Sequence, residues 1–256
     1  MNKLKVATKV FTVLIPALLF ACILCCAVLF IRGANPSILQ KEQNEEAPSA
    51  PELHKSIDYG EGYLKSITFI CDKTLVPIAN TVPSISKDQI WTGPDGTLSL
   101  DRSLSTASIM QADSSDEISI PNAISNSKPQ YVIITVGLEN GVSHCTEEKF
   151  KEYYTSLITN IQNLSPDTKI ILQSILPISA EAEKSSPELS NERIDTANKY
   201  IAKLAQENGV RYLNTASALK SENGRLDPKY DSGDGITLNT EGYNTVAQYI
   251  RTHGYK

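Results

Sequence analysis

The chain has 256 residues, 41% of them hydrophobic, and no internal repeat, which suits one well-buried domain with accessory segments and excludes a tandem array. Its formal net charge is -5 and no Lys/Arg stripe interleaves with aromatics, which argues against nucleic acid as a partner. Three scattered histidines, no CxxC in the part beyond residue 32 and no glycine-rich phosphate loop leave no basis for expecting a metal or other cofactor.

Residues 1–9 carry Lys3, Lys5 and Lys9, and residues 10–31 then form 22 consecutive uncharged, mostly apolar positions. At 1.5 Å per residue that run reaches roughly 33 Å, the thickness of a bilayer hydrocarbon core, and predicts a transmembrane helix. Only Arg32 closely follows it, so the positive-inside bias places the N-terminus in the cytoplasm and the rest outside, as a single-pass membrane protein. A cleaved signal peptide is the alternative, although its apolar stretch is usually shorter and ends in small residues. A lipoprotein box at Leu19-Phe20-Ala21-Cys22 is opposed by the apolar residues that continue after Cys22. Residues 32–62 are polar and acidic, with Pro36, Pro48 and Pro51, a composition that predicts a disordered stalk.

Residues 63–256 read as one domain in which short apolar runs alternate with segments of helical period. The runs at 67–70, 131–136, 169–175 and 210–213 are near-continuously apolar, as strands buried on both faces are. Phe150, Tyr153, Tyr154, Leu157, Ile158 and Ile161 recur at helical spacing behind a candidate N-cap, Thr146. A second helix carries Ile194, Ala197, Ile201, Leu204 and Ala205 and stops at Gly209, and a third begins near Thr240. Between residues 80 and 126 Ser, Thr, Asp and Pro accumulate, predicting an irregular excursion with a turn at Pro94-Asp95-Gly96 and a short strand at 97–100. The fold class is therefore α/β: a three-layer parallel sheet with helices on both faces. Ligands of such sheets bind beyond the carboxyl ends of the strands, at residues 71–74, 137–145, 177 onward and 214.

The residues at those ends resemble the SGNH/GDSL hydrolase blocks, over roughly residue 66 to the C-terminus, and most resemble the membrane-tethered extracytoplasmic members of Gram-positive bacteria. The resemblance implies a flavodoxin-like sheet and a serine esterase site. In the family the first strand runs into Gly-Asp-Ser, whose serine is the nucleophile; this chain has Cys71, Asp72 and Lys73 there. The family's Gly-x-Asn-Asp block, whose asparagine helps form the oxyanion hole, is matched by VGLENGVS, with Gly137 and Asn140 one residue out of register and Glu139 a competitor for the asparagine's place. The family's Asp-x-x-His before a final Leu-Asn and helix is matched by DGITLNTEGY, with Asp234 kept and Thr237 at the histidine position. ILQSILP after the third run agrees as well.

The motif-equivalent catalytic positions are thus Asp72, Lys73, Asn140, Asp234 and Thr237, with Gly137 and Asn140 as the oxyanion pair, yet the chemistry is compromised. Neutral lysine attacking an ester would yield an amide, and a threonine hydroxyl does not titrate near neutrality and cannot act as general base. Whether the protein is an enzyme stays open. Cys71 and His144 form one candidate dyad; Cys71 pairing with Cys145 in a disulfide, or standing as a small buried residue, are the plainer readings. Lys73 is either a solvated loop lysine or the partner of Asp234 in an ion pair. Asp72 is either part of a site or the cap of the turn behind it. Three functions follow: a catalytically impaired surface module binding a cell-wall glycan or acylated ligand, an active esterase or O-deacylase, or a structural display protein. Oligomeric state is open.

Overall fold

The computed structural model describes residues 51–100, 102–110, 117–144 and 146–255. The expected membrane helix and cytoplasmic terminus lie outside the described residues, as does most of the expected stalk. Among the described residues no helix is long and apolar enough to cross a membrane.

Five strands form one sheet: β1 (Ile67–Cys71), β2 (Ile90–Trp91), β5 (Tyr131–Thr135), β6 (Lys169–Gln173) and β7 (Arg211–Leu213), in the order β2-β1-β5-β6-β7 with every pairing parallel. The four apolar runs of the sequence are β1, β5, β6 and β7. Alternate side chains supply two separate cores, which is why the runs are apolar throughout. Ile70, Val132, Ile134, Ile170 and Leu172 point to one face; Phe69, Cys71, Ile133, Ile171 and Leu213 point to the other. Burying each such side chain contributes about 1.5–3 kcal/mol.

The first face is covered by α3 (Ile120–Ser127), α4 (Glu147–Leu164) and α6 (Asn191–Glu207), the second by α1 (Gly60–Lys65), α2 (Ile78–Thr81) and α7 (Thr240–Thr252). The short α5 (Ala180–Ser185) follows β6. The capping residues act as expected from their type: Thr146 Oγ1 accepts from Lys149 N (3.4 Å) and Asn239 Oδ1 from Gly242 N (3.0 Å). Gly209 has φ +65°, the left-handed end that stops α6.

The excursion after β2 is more ordered than its composition suggests. It holds an antiparallel pair, β3 (Ser108–Met110) and β4 (Glu117–Ser119), and leads into α3. The strand expected at 97–100 does not form. Leu98 and Leu100 are buried at the spacing a strand would give, but Leu100 N donates to Glu139 O (3.3 Å) in the loop after β5.

The domain also begins earlier than the composition of residues 32–62 indicates. Tyr212 N donates to Pro51 O (2.9 Å), Leu53 N to Tyr212 O (2.8 Å) and Ser56 N to Thr252 O (2.7 Å), so residues 51–59 run along β7 and the end of α7 before α1 starts. Backbone pairing to an open sheet edge stabilises a segment that carries few apolar side chains, which composition alone does not register. Ala50–Lys256 is accordingly one compact unit containing both cores.

Candidate functional site

Asp72, at the carboxyl end of β1, is 1% exposed. Its Oδ1 accepts from Thr74 N (3.1 Å) and Thr74 Oγ1 (2.6 Å), while Oδ2 accepts from Leu138 N (3.3 Å). The carboxylate thus caps the turn behind it and also ties the loop after β1 to the loop after β5. Burial pushes its pKa up, against the lowering effect of those donors.

Lys73 is half exposed and forms an ion pair with Glu139, not with Asp234. The alternative pairing fails because Glu139 stands on the adjoining loop, whereas Asp234 is taken up by its own loop. Glu139 also accepts from the Thr97 hydroxyl. Burial raises the Glu139 carboxyl, but Lys73 and Thr97 outweigh it and hold the group below its ordinary value.

The register of the GLENG segment follows from its glycines. Gly137 has φ +135°, and a Cβ there would lie 3.0 Å from Ile175 Cδ1. A wide turn closes by Val142 N donating to Gly137 O (2.8 Å), and Asn140 takes a left-handed φ of +57° inside it. The consequence is that Glu139 faces residue 73, while Asn140 turns away and donates through Nδ2 to Ser99 Oγ (2.7 Å). In this structure the side chain expected at the oxyanion position thus serves the Thr97–Ser99 segment. An ionised carboxylate at the position nearest Lys73 has no hydrogen to donate to an oxyanion.

Asp234 and Thr237 form a second group. Asp234 Oδ1 accepts from Ile236 N (2.8 Å), Thr237 N (2.7 Å) and Ser232 Oγ (3.2 Å); Oδ2 accepts from Thr237 Oγ1 (2.7 Å). Burial would raise this carboxyl, but these donors hold it below the ordinary range. Thr237 Oγ1 also contacts Ser232 Oγ at 2.6 Å. Among the described residues no hydrogen bond or ion pair joins this group to Lys73, Gly137 or Asn140. The nearest link is Tyr243, whose hydroxyl donates to Thr74 O (2.8 Å). Burial pushes its phenol well up, and the charges of Asp234, Cys71 and Asp72 add to the shift.

No imidazole enters either group. His144 Nδ1 lies 2.5 Å from Ser143 Oγ, and His253 stacks on Tyr249 at 3.7 Å, with burial lowering its pKa. Cys71 is a free, fully buried thiol that burial pushes well up, the opposite of an activated nucleophile, and no contact joins it to His144. Cys145 lies outside the described residues, and with it the disulfide considered for Cys71. No cluster of three or more His, Cys, Asp or Glu side chains able to hold a metal occurs among the described residues.

Among the described residues a cleft of 380 Å³ is lined by Asp231, Asp234 and Ile236, among others, and two more lie beside the loop after β5. One of 350 Å³ is lined by Asp95, Thr97, Ser99, Arg102, Thr106 and Ser108, among others, and adjoins Glu139 and Asn140 through Thr97 and Ser99. One of 410 Å³ is lined by Ser143, His144, Glu192, Arg193, Thr196 and Tyr200, among others. Sequence reasoning missed Thr97 and Ser99; their alternation with buried Leu98 and Leu100 was the available signal.

A parallel three-layer sheet with the chemistry-bearing loops at its carboxyl ends defines an α/β fold of the SGNH hydrolase type. The family model described as GDSL-like lipase/acylhydrolase matches residues 98–245, more than half of the chain, and the chain belongs to that family. The matched segment includes Gly137, Asn140, Asp234 and Thr237 and starts after Asp72 and Lys73. Among solved structures the chain is similar to a candidate acylhydrolase from Bacteroides fragilis NCTC 9343, with 20% identity, TM-score 0.54, and 82% of this chain and 91% of the other covered. It is also similar to a candidate platelet activating factor from Streptococcus pneumonia, with 15% identity, TM-score 0.52, and 85% and 98% covered. At such identities the likeness concerns the fold. No curated protein matches the chain.

Proposed function

We propose that this chain is a membrane-anchored, extracytoplasmic member of the GDSL-like family in which hydrolysis has been lost, and whose site serves as a binding module for a cell-wall glycan or acylated ligand. The observation that carries this reading is the Lys73–Glu139 ion pair at the nucleophile position. A protonated lysine cannot attack, and the carboxylate beside it opposes the negative charge that develops on an acyl oxygen. The hydroxyl-rich 350 Å³ cleft next to the pair, with Asp95 and Arg102 on its wall, supports a polyhydroxylated ligand. The apolar run at residues 10–31, with three lysines close before it and only Arg32 close after it, supports the anchored topology.

The test is to incubate Ala50–Lys256 with p-nitrophenyl acetate and with a serine-reactive phosphonate. We expect no turnover above the buffer rate and no covalent adduct; turnover abolished by one substitution would defeat the binding-module reading. Saturable retention on immobilised cell-wall glycan is expected, whereas pure display predicts none. A second reading, an active esterase, is favoured by the Ser143–His144 contact beside the 410 Å³ cleft. It predicts phosphonate labelling lost on Ser143→Ala.

A further inference from the structure

The two ends of the parallel sheet differ in what they display. The carboxyl ends carry the polar groups described above. The amino ends carry a set of features that the site does not use, and the chain enters the domain there. Pro51 and Leu53 pair with Tyr212, and Glu52 runs parallel to β7, so Pro51 is on the side where β7 begins.

Around that end lie Lys65 before β1, Lys128 before β5, Lys169 opening β6 and Arg211 opening β7. The three lysines are exposed. Tyr255 sits between the last two cations, with Lys169 Nζ 5.9 Å and Arg211 Cζ 5.6 Å from its ring, and Tyr131 is 6.4 Å away. Two of the acids at this end are paired: Asp58 with Arg251 and Glu207 with Lys151. Lys87 and Asp88 offset each other before β2, leaving Glu52, Glu61 and Asp167 against the four cations.

Apolar exposure concentrates at the same end. Among the described residues the large apolar side chains left exposed are Ile57, at 71%, and Leu164, at 40%. Ile57 lies beside the end of α7, between the Ser56 and Tyr59 backbone bonds to Thr252 and Arg251, and Leu164 ends α4 just before β6. Basic, aromatic and exposed aliphatic side chains on one surface are the composition that seats on a lipid headgroup layer.

We propose that the amino end of the sheet is the face this domain sets against the membrane, its partner being the surface of an anionic phospholipid bilayer, with the candidate site directed away from it. The inference rests on the anchored reading above. The run ending at residue 31 is separated from Pro51 by 19 residues, which span at most roughly 65 Å, so the patch is held near the bilayer. At the high effective concentration a tether provides, a weak surface is enough to orient the domain.

The experiment is co-sedimentation of Ala50–Lys256 with vesicles of phosphatidylcholine alone or mixed equally with phosphatidylglycerol. We expect binding to the mixed vesicles only, released by added salt. The variant Lys65→Gln/Lys128→Asn/Lys169→Gln should lower partitioning about 5-fold per lysine, on the order of 100-fold in all. The variant Lys184→Gln/Lys199→Gln/Lys229→Gln, on other faces, should leave it unchanged. No preference for the anionic vesicles, equal loss in both variants, or self-association through this face in place of vesicle binding would each overturn the proposal. Flotation of the full chain with neutral vesicles tests the anchor separately: the first triple variant should still float. A full chain that does not float defeats the anchored reading, while the vesicle result for Ala50–Lys256 still decides the patch.

Discussion

The loop pair after β1 and β5 and the loop before α7 both retain an aspartate, Asp72 and Asp234, and use it in opposite ways. Asp72 is buried and reaches across to another loop, so its carboxylate joins two segments distant in sequence. Asp234 is exposed and spends its oxygens on donors within its own turn. The difference teaches that a motif aspartate can be accounted for by backbone capping alone. Backbone capping is reason enough to keep Asp234 when no imidazole is present at Thr237.

Substitutions that break this contrast should differ in size. Gly137→Ala should be the most damaging, by about 3 kcal/mol in denaturant unfolding, because it combines a φ of +135° with a Cβ 3.0 Å from Ile175. Asp72→Ala should cost about 2 kcal/mol by leaving Leu138 N and the Thr74 donors unpaired in a buried setting. Asp234→Ala, in an exposed turn, should cost about 1 kcal/mol, a loss confined to the 231–238 loop in hydrogen exchange. Lys73→Ala should cost under about 0.5 kcal/mol, since its ion pair is half exposed. If Lys73→Ala instead proved as costly as Asp72→Ala, the pair would be a structural lock and not a surface contact.

A pH series sharpens the same comparison. The Asp72 carboxyl is raised in the folded state, so the native protein holds that proton more tightly than the unfolded chain does. Its contribution is fully present below the unfolded value near 3.8 and is lost as pH rises through the raised folded value. Asp234 is lowered, so its contribution is present above 3.8 and is lost as pH falls through its folded value. Asp72→Asn should therefore flatten the decline of unfolding free energy on the alkaline side of 3.8, and Asp234→Asn the decline on the acid side, in urea titrations.

Legibility from sequence varied with how local the determining physics is. The helix of Phe150 to Ile161, its Thr146 cap and the Gly209 stop depend on neighbours three or four residues away, and they form as their pattern indicates. The pairing of residues 51–53 with β7, the β3–β4 hairpin and α3 depend on an open sheet edge or a distant face, which composition does not encode. At the site, the lysine and threonine substitutions were readable as chemistry. The partner of Lys73 was not, because choosing Glu139 over Asp234 required knowing that Gly137 and the left-handed Asn140 turn Glu139 toward it.

The amino-acid sequence by itself determined the parallel α/β class, four of the five strands of the central sheet, and the order of the motif blocks, with Lys73 and Thr237 standing in them. Apolar periodicity and residue chemistry are properties of short segments. Only the tertiary structure decided which side chains meet. Lys73 faces Glu139, Asp72 spans two loops, Asp234 serves its own turn, and the chain enters at the end of the sheet opposite the site. Those facts depend on loop conformation and on contacts between residues far apart in the chain.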